Sequence, residues 1–139
     1  MEGYRFEYQG KNYELTEDNI TAFINDEENQ VNGIDAAKVL ELLKQAEAVE
    51  FDKSYYEEPC EECKAGLKDK AKYFDFLEYY FYIFTRNNEY VISTISKEYE
   101  GLTFNKLLRA GKVDNSYIVT VIVCKNCGSY SIEIEQCDI

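Results

Sequence analysis

The sequence predicts one α+β domain over residues 1–139, built on an antiparallel β-sheet of about five to seven strands with two or three helices and a β-hairpin near the C-terminus. Three observations lead there. The chain has 139 residues, near the commonest size of a single domain. Hydrophobic residues make up 45% and charged residues 30%, the mixture of a chain that buries a core rather than staying disordered. Apolar residues alternate near both ends of the chain and fall at helical spacing in between.

Taken in order, YRFEYQGKNYELT opens with two alternating runs around Gln9-Gly10-Lys11-Asn12. Tyr4, Phe6 and Tyr8 alternate with Arg5 and Glu7, which is the period of a half-buried strand, and a glycine in the gap suits a hairpin. In TEDNITAFINDEEN, Thr16 with Asn19 resembles a helix start, and Ile20, Phe23 and Ile24 fall at helical spacing. A longer amphipathic helix is expected in NGIDAAKVLELLKQAEAVEF, where Ile34, Ala37, Leu40 and Leu43 trace one stripe. Asn32-Gly33 interrupts the chain before it, and Asp35 is placed to cap it. DKSYYEEPCEECKAGLKDKAK shows no period and holds the only proline, Pro59.

Aromatic and β-branched residues then dominate, and Arg86-Asn87-Asn88-Glu89 reads as a turn between strands at 74–85 and 90–97. GLTFNKLLRAGKVDN predicts a short helix with Phe104, Leu107 and Leu108 on its apolar face and Gly111 as its stop. SYIVTVIVC is a strand whose β-branched run suggests burial on both faces. SYSIEIEQC alternates Tyr130, Ile132 and Ile134 with Ser131, Glu133 and Glu135, so one of its faces is wet.

Charge narrows the function classes. The formal net charge is −12, from 27 acidic and 15 basic residues. Binding to duplex nucleic acid depends on lysine and arginine neutralising phosphates, and anionic membranes attract polybasic segments, so neither partner is expected. A basic protein partner, or simple solubility, fits the charge. The opening MEGYRFEYQGKNYEL has neither a basic start nor an apolar run, and no stretch approaches the roughly 20 apolar residues of a membrane-crossing helix. A cytoplasmic setting is therefore expected, where disulfides are rare and paired cysteines more often bind metal or do redox chemistry.

The chain has five cysteines and no histidine. Cys60-Glu61-Glu62-Cys63 and Cys124-Lys125-Asn126-Cys127-Gly128 form two C-x-x-C pairs, and zinc favours four tetrahedral ligands of this kind. A two-residue gap lets both sulfurs face one ion while the turn aims N–H groups at them. Gly128 supplies the positive φ that such a turn needs. Lys64 stands in the matching place of the first pair, so that turn departs from the pattern. Lys64 and Lys125 can offset the charge of four thiolates, whereas Glu61 and Glu62 are tolerable only in water.

CKNCGSYSIEIE resembles the knuckle hairpin of zinc-ribbon and rubredoxin-like proteins. The resemblance covers only residues 57–66 and 119–135, and the 60 residues between the pairs exceed the spacing of a compact ribbon. It implies a zinc-knuckle β-hairpin near the C-terminus. It also implies a structural zinc, less readily iron, held by Cys60, Cys63, Cys124 and Cys127. As a whole the chain also resembles small uncharacterised bacterial proteins of unknown function. Other readings stay open: a redox dithiol, disulfides, or core thiols without a ligand. The redox dithiol is weakened because neither pair shows the strand-then-helix setting it needs. Cys137 reads as a small terminal hydrophobe or a surface thiol.

Four cysteines would close a zinc shell against catalysis. Histidine, the commonest general base, is missing. No G-x-S-x-G, P-loop or dinucleotide fingerprint is present, so the sequence leans against an enzyme. Thirteen tyrosines and eight phenylalanines either line a sheet boundary or form an interaction face around residues 54–59 and 78–84. The function expected is a protein-interaction or regulatory module with an acidic, tyrosine-rich surface. The alternatives are a nucleic-acid-associated zinc-ribbon protein, an enzyme with a carboxylate-based site, and an acidic mimic of nucleic acid.

Overall fold

The computed structural model describes residues 3–46, 49–56 and 74–137. Eight strands, β1 (Tyr4–Tyr8), β2 (Lys11–Leu15), β3 (Ile20–Ile24), β4 (Asp52–Tyr56), β5 (Phe74–Arg86), β6 (Glu89–Ser93), β7 (Asn115–Cys124) and β8 (Tyr130–Gln136), are joined by helices α1 (Ala36–Gln45) and α2 (Phe104–Arg109). Strands account for 48% of the described residues and helices for 16%, with one helix of seven residues or more among them. The protein is therefore mostly β, and the α+β class with two or three helices is corrected.

Two segments cause the difference. The helix expected around Ile20, Phe23 and Ile24 is strand β3. Thr16 does not cap a helix there: its N–H and hydroxyl both donate to the Asn19 side-chain carbonyl, at 2.8 and 3.1 Å. Downstream, Asn25 exchanges hydrogen bonds with both backbone groups of Val31. Such side chains offer the backbone partners that compete with a helical ladder. The second segment is β4, which begins the stretch in which the sequence shows no period.

The larger sheet runs β3-β8-β7-β5-β4, with β6 also on β5. Phe76–Thr85 of β5 pairs β7 along one edge. The other edge is shared by β4 near the start of β5 and β6 near its end. All these pairings are antiparallel except that of β3 with β8, which is parallel, so the expectation of a purely antiparallel sheet is also corrected. Asn87 and Asn88 turn β5 into β6 with φ of 51° and 65°, the left-handed pair that a two-residue hairpin requires.

One face of this sheet is the core. Leu77, Phe81 and Ile83 of β5, Tyr117, Val119, Val121 and Val123 of β7, and Ile132 and Ile134 of β8 are buried there. Val39, Leu40, Leu42 and Leu43 of α1 and Tyr13 and Leu15 of the β1–β2 hairpin cover them. Each such aliphatic side chain contributes about 1.5–3 kcal/mol when fully buried. Asp35 caps α1 as its position suggested, its carboxylate accepting the Lys38 N–H at 2.8 Å. A smaller cluster of Phe84, Leu107 and Val113 forms under α2. Gly111, at φ 72°, ends α2 with the Gly111 and Lys112 N–H groups donating to Leu108 and Leu107. Burial of β7 on both faces is not what forms: Ile118, Thr120 and Ile122, opposite the core, remain half-buried.

Candidate metal centre

The turn between β7 and β8 is built from Cys124 to Ser129. Cys124 ends β7, pairs with Phe76 and is buried. Its N–H donates to the Ser129 carbonyl at 2.8 Å, and its carbonyl accepts the Gly128 N–H at 3.0 Å. Gly128 has φ 81°, a conformation that costs an L residue roughly 1 kcal/mol or more. The Cys127 N–H then donates to Cys124 Sγ at 3.5 Å. Cys127 is exposed, and its Sγ lies 3.0 Å from Ser129 Oγ. The two-residue gap thus folds as a knuckle in which backbone polarity is aimed at sulfur.

The β1–β2 hairpin holds that turn in place. Lys11 Nζ donates to the carbonyls of Lys125 at 3.0 Å and Asn126 at 2.6 Å. The Tyr13 hydroxyl donates to the Lys125 carbonyl at 2.7 Å, and Asn19 Nδ2 to the Gly128 carbonyl at 3.3 Å. A trans peptide points its C=O and N–H in opposite directions. Fixing the Asn126 carbonyl on Lys11 therefore fixes the Cys127 N–H toward Cys124. Burial, with smaller contributions from charge at Cys124 and Tyr8, pushes the Tyr13 phenol above its ordinary value, so it stays a neutral donor at physiological pH.

Lys11, Tyr13 and Asn19 carry no signal of this role in the sequence, because more than 100 residues separate them from the turn. Of the four predicted ligands, Cys124 and Cys127 are brought together, while Cys60 and Cys63 lie outside the described residues. Among the described residues, no three cysteine or carboxylate side chains converge as a metal-binding group. Cys137 is remote: its N–H donates to the Ser116 carbonyl at the far end of β7. Eight residues of strand put that point about 25 Å from Cys124.

The positions flanking Cys60 and Cys63 are at the knuckle's end of the sheet. β4 ends at Tyr56, β5 begins at Phe74, and these two residues are paired. Two residues further along β5, Phe76 pairs with Cys124. Tyr56 and Phe74 therefore lie at the knuckle's end of the sheet.

Fold and site together define a mostly-β protein with a cysteine turn clamped by its N-terminal hairpin. Residues 4–139 match the family model described as protein of unknown function (DUF3785), and the chain belongs to that family. The match is to this uncharacterised family, and it does not support the resemblance to zinc ribbons. Neither the curated proteins nor the solved structures contain a match. Among the described residues no helix is long and apolar enough to cross a membrane.

Proposed function

We propose that Cys60, Cys63, Cys124 and Cys127 hold one structural zinc, with iron the less suited ion. In this reading residues 1–139 act as one domain, a protein-interaction or regulatory module of the cytoplasm. The observation that carries the metal is the Cys127 N–H donated to Cys124 Sγ across a turn with Gly128 at positive φ. That arrangement stabilises negative charge on sulfur, which a thiolate ligand needs.

Reach supports the second pair. From Tyr56, Cys124 lies two strand spacings across and two residues along, about 12 Å. Four extended residues span up to about 14 Å, enough for Cys60 to meet an ion on Cys124. Four thiolates would close a tetrahedral shell, leaving no position for a reacting water. The ion would then join the end of β7 to the chain between β4 and β5. Its binding free energy would add directly to the stability of the native state.

The interaction reading rests on the net charge of −12 and on tyrosines that the fold leaves in water, Tyr55, Tyr80 and Tyr82. Native mass spectrometry with elemental analysis, on protein purified without added metal, tests the metal. One zinc per chain is expected. Protein folded without metal, or with metal retained after Cys124→Ser, would contradict it.

A further inference from the structure

β7 carries a β-branched sequence suited to burial on both faces, yet α1 and the N-terminal hairpin cover only the face of Tyr117, Val119, Val121 and Val123. On the opposite face the pairing register sets out two rows. Tyr82, Ile118 and Glu135 lie side by side in one, and Tyr80, Thr120 and Glu133 in the next. Ile122 continues the strip toward the knuckle, beside Glu78. Tyr80 and Tyr82 are 53% and 39% exposed. The result is an aliphatic strip along β7 with a tyrosine wall on β5 and a carboxylate rail on β8.

Along β7 and β8 the charge on this face is of one sign, and Arg86 of β5 lies beyond Phe84, at the end covered by α2. Neither β7 nor β8 contains a lysine or arginine, and Glu133 and Glu135 are both exposed. A second copy of the chain would bring these carboxylates against their like, in a protein of net charge −12. A partner with aliphatic anchors and lysine or arginine on one flank meets both halves of the surface.

Resting on the interaction reading above, we propose that the open face of β5, β7 and β8 docks a cationic amphipathic helix of a partner protein. The apolar side of the helix lies along Ile118 and Ile122, and its basic flank faces Glu133 and Glu135. Size fits this occupant. Ile118 to Ile122 spans about 13 Å of strand, which matches roughly nine residues of helix. Burial of the strip and of Tyr80 and Tyr82 supplies the affinity, and the rail supplies orientation and discrimination by charge.

The test uses the full chain and a designed helical peptide carrying leucine at i, i+3, i+4 and i+7 and lysine along one flank. A control peptide has glutamate in place of every lysine. Titration followed by NMR reads both affinity and place. Shifts are expected at Tyr80, Tyr82, Ile118 and Ile122 with the lysine peptide and not with the glutamate peptide. Glu133→Lys combined with Glu135→Lys is expected to weaken binding about tenfold or more. These are exposed positions, so zinc content and melting temperature should stay as in the parent protein. Binding mapped to another surface would overturn this face while leaving the interaction reading standing. Indifference to the charge reversal, dimerisation through this face, or a Kd weaker than about 1 mM would overturn the proposal.

Discussion

The two hairpin turns at opposite ends of the central sheet are closed by different chemistry. At one end, Asn87 and Asn88 take the left-handed conformation themselves. Their neighbours are mostly backbone: the Asn88 carbonyl accepts the Asn32 N–H at 2.7 Å, and the Asn32 carbonyl accepts the Tyr90 N–H at 2.8 Å. At the other end, the knuckle gives its carbonyls to the side chains of Lys11, Tyr13 and Asn19 and turns the Cys127 N–H inward to sulfur. The asparagine turn only reverses the chain. The knuckle is oriented from outside, and its polarity favours a negative charge at Cys124. A turn that merely connected two strands would not need two side chains from a distant hairpin and a third from the segment before β3.

The largest way to break the comparison is to remove a proposed ligand. Cys124→Ser should cost about 3 kcal/mol or more through loss of the metal. Cys137→Ser, at the asparagine end, should cost less than about 0.5 kcal/mol. Thermal melts of the two variants check this, and equal effects would mean that the ligands are wrongly assigned.

Next is the clamp. Lys11→Met and Tyr13→Phe each remove donors that orient the turn, and each should weaken zinc binding about tenfold, the usual scale for groups that position ligands. Asn88→Ala should leave zinc affinity unchanged while costing about 1 kcal/mol at the other turn, and Asn88→Gly should recover most of that. Competition with a chromophoric chelator reads the affinities, and urea unfolding reads the stabilities.

A smaller effect is expected from acid. The Asp26 carboxylate accepts N–H groups from Asn29, Glu28 and Gln136. The Asn29 and then the Gln136 N–H are the main causes holding its carboxyl below the ordinary 3.8. A carboxyl lowered by folding stabilises the native state above its unfolded pKa and loses that contribution as pH falls through the folded value. Stability should therefore drop below about pH 4, and Asp26→Asn should flatten that drop while lowering stability at pH 7. Urea midpoints at pH 7, 4 and 3 measure it. Parallel curves for the two proteins would remove Asp26 from the account.

How much of this was legible depends on distance along the chain. The β1–β2 hairpin, α1 with its Asp35 cap, the β5–β6 turn, the Gly111 stop and the alternation of β8 all follow from neighbours within a few residues. So does the turn at Cys124–Gly128, where spacing and one glycine decide the backbone. β3 was not legible, because Ile20, Phe23 and Ile24 satisfy a helical stripe as well as a strand. What decides between them is parallel pairing with β8, more than 100 residues away. The fold class went astray with it, and with β4, whose five residues precede the unpatterned cysteine segment. The half-covered β7 has the same origin: its sequence asks for burial on two sides, and on the side away from the main core Ile118, Thr120 and Ile122 stay half-buried.

X-ray absorption at the zinc edge, on protein carrying only the metal it was purified with, tests the shared cysteine site most directly. Four sulfur ligands at about 2.3 Å are expected in the parent protein. A shell containing nitrogen or oxygen, or fewer than four sulfurs, would contradict the proposal that two distant cysteine pairs meet on one ion.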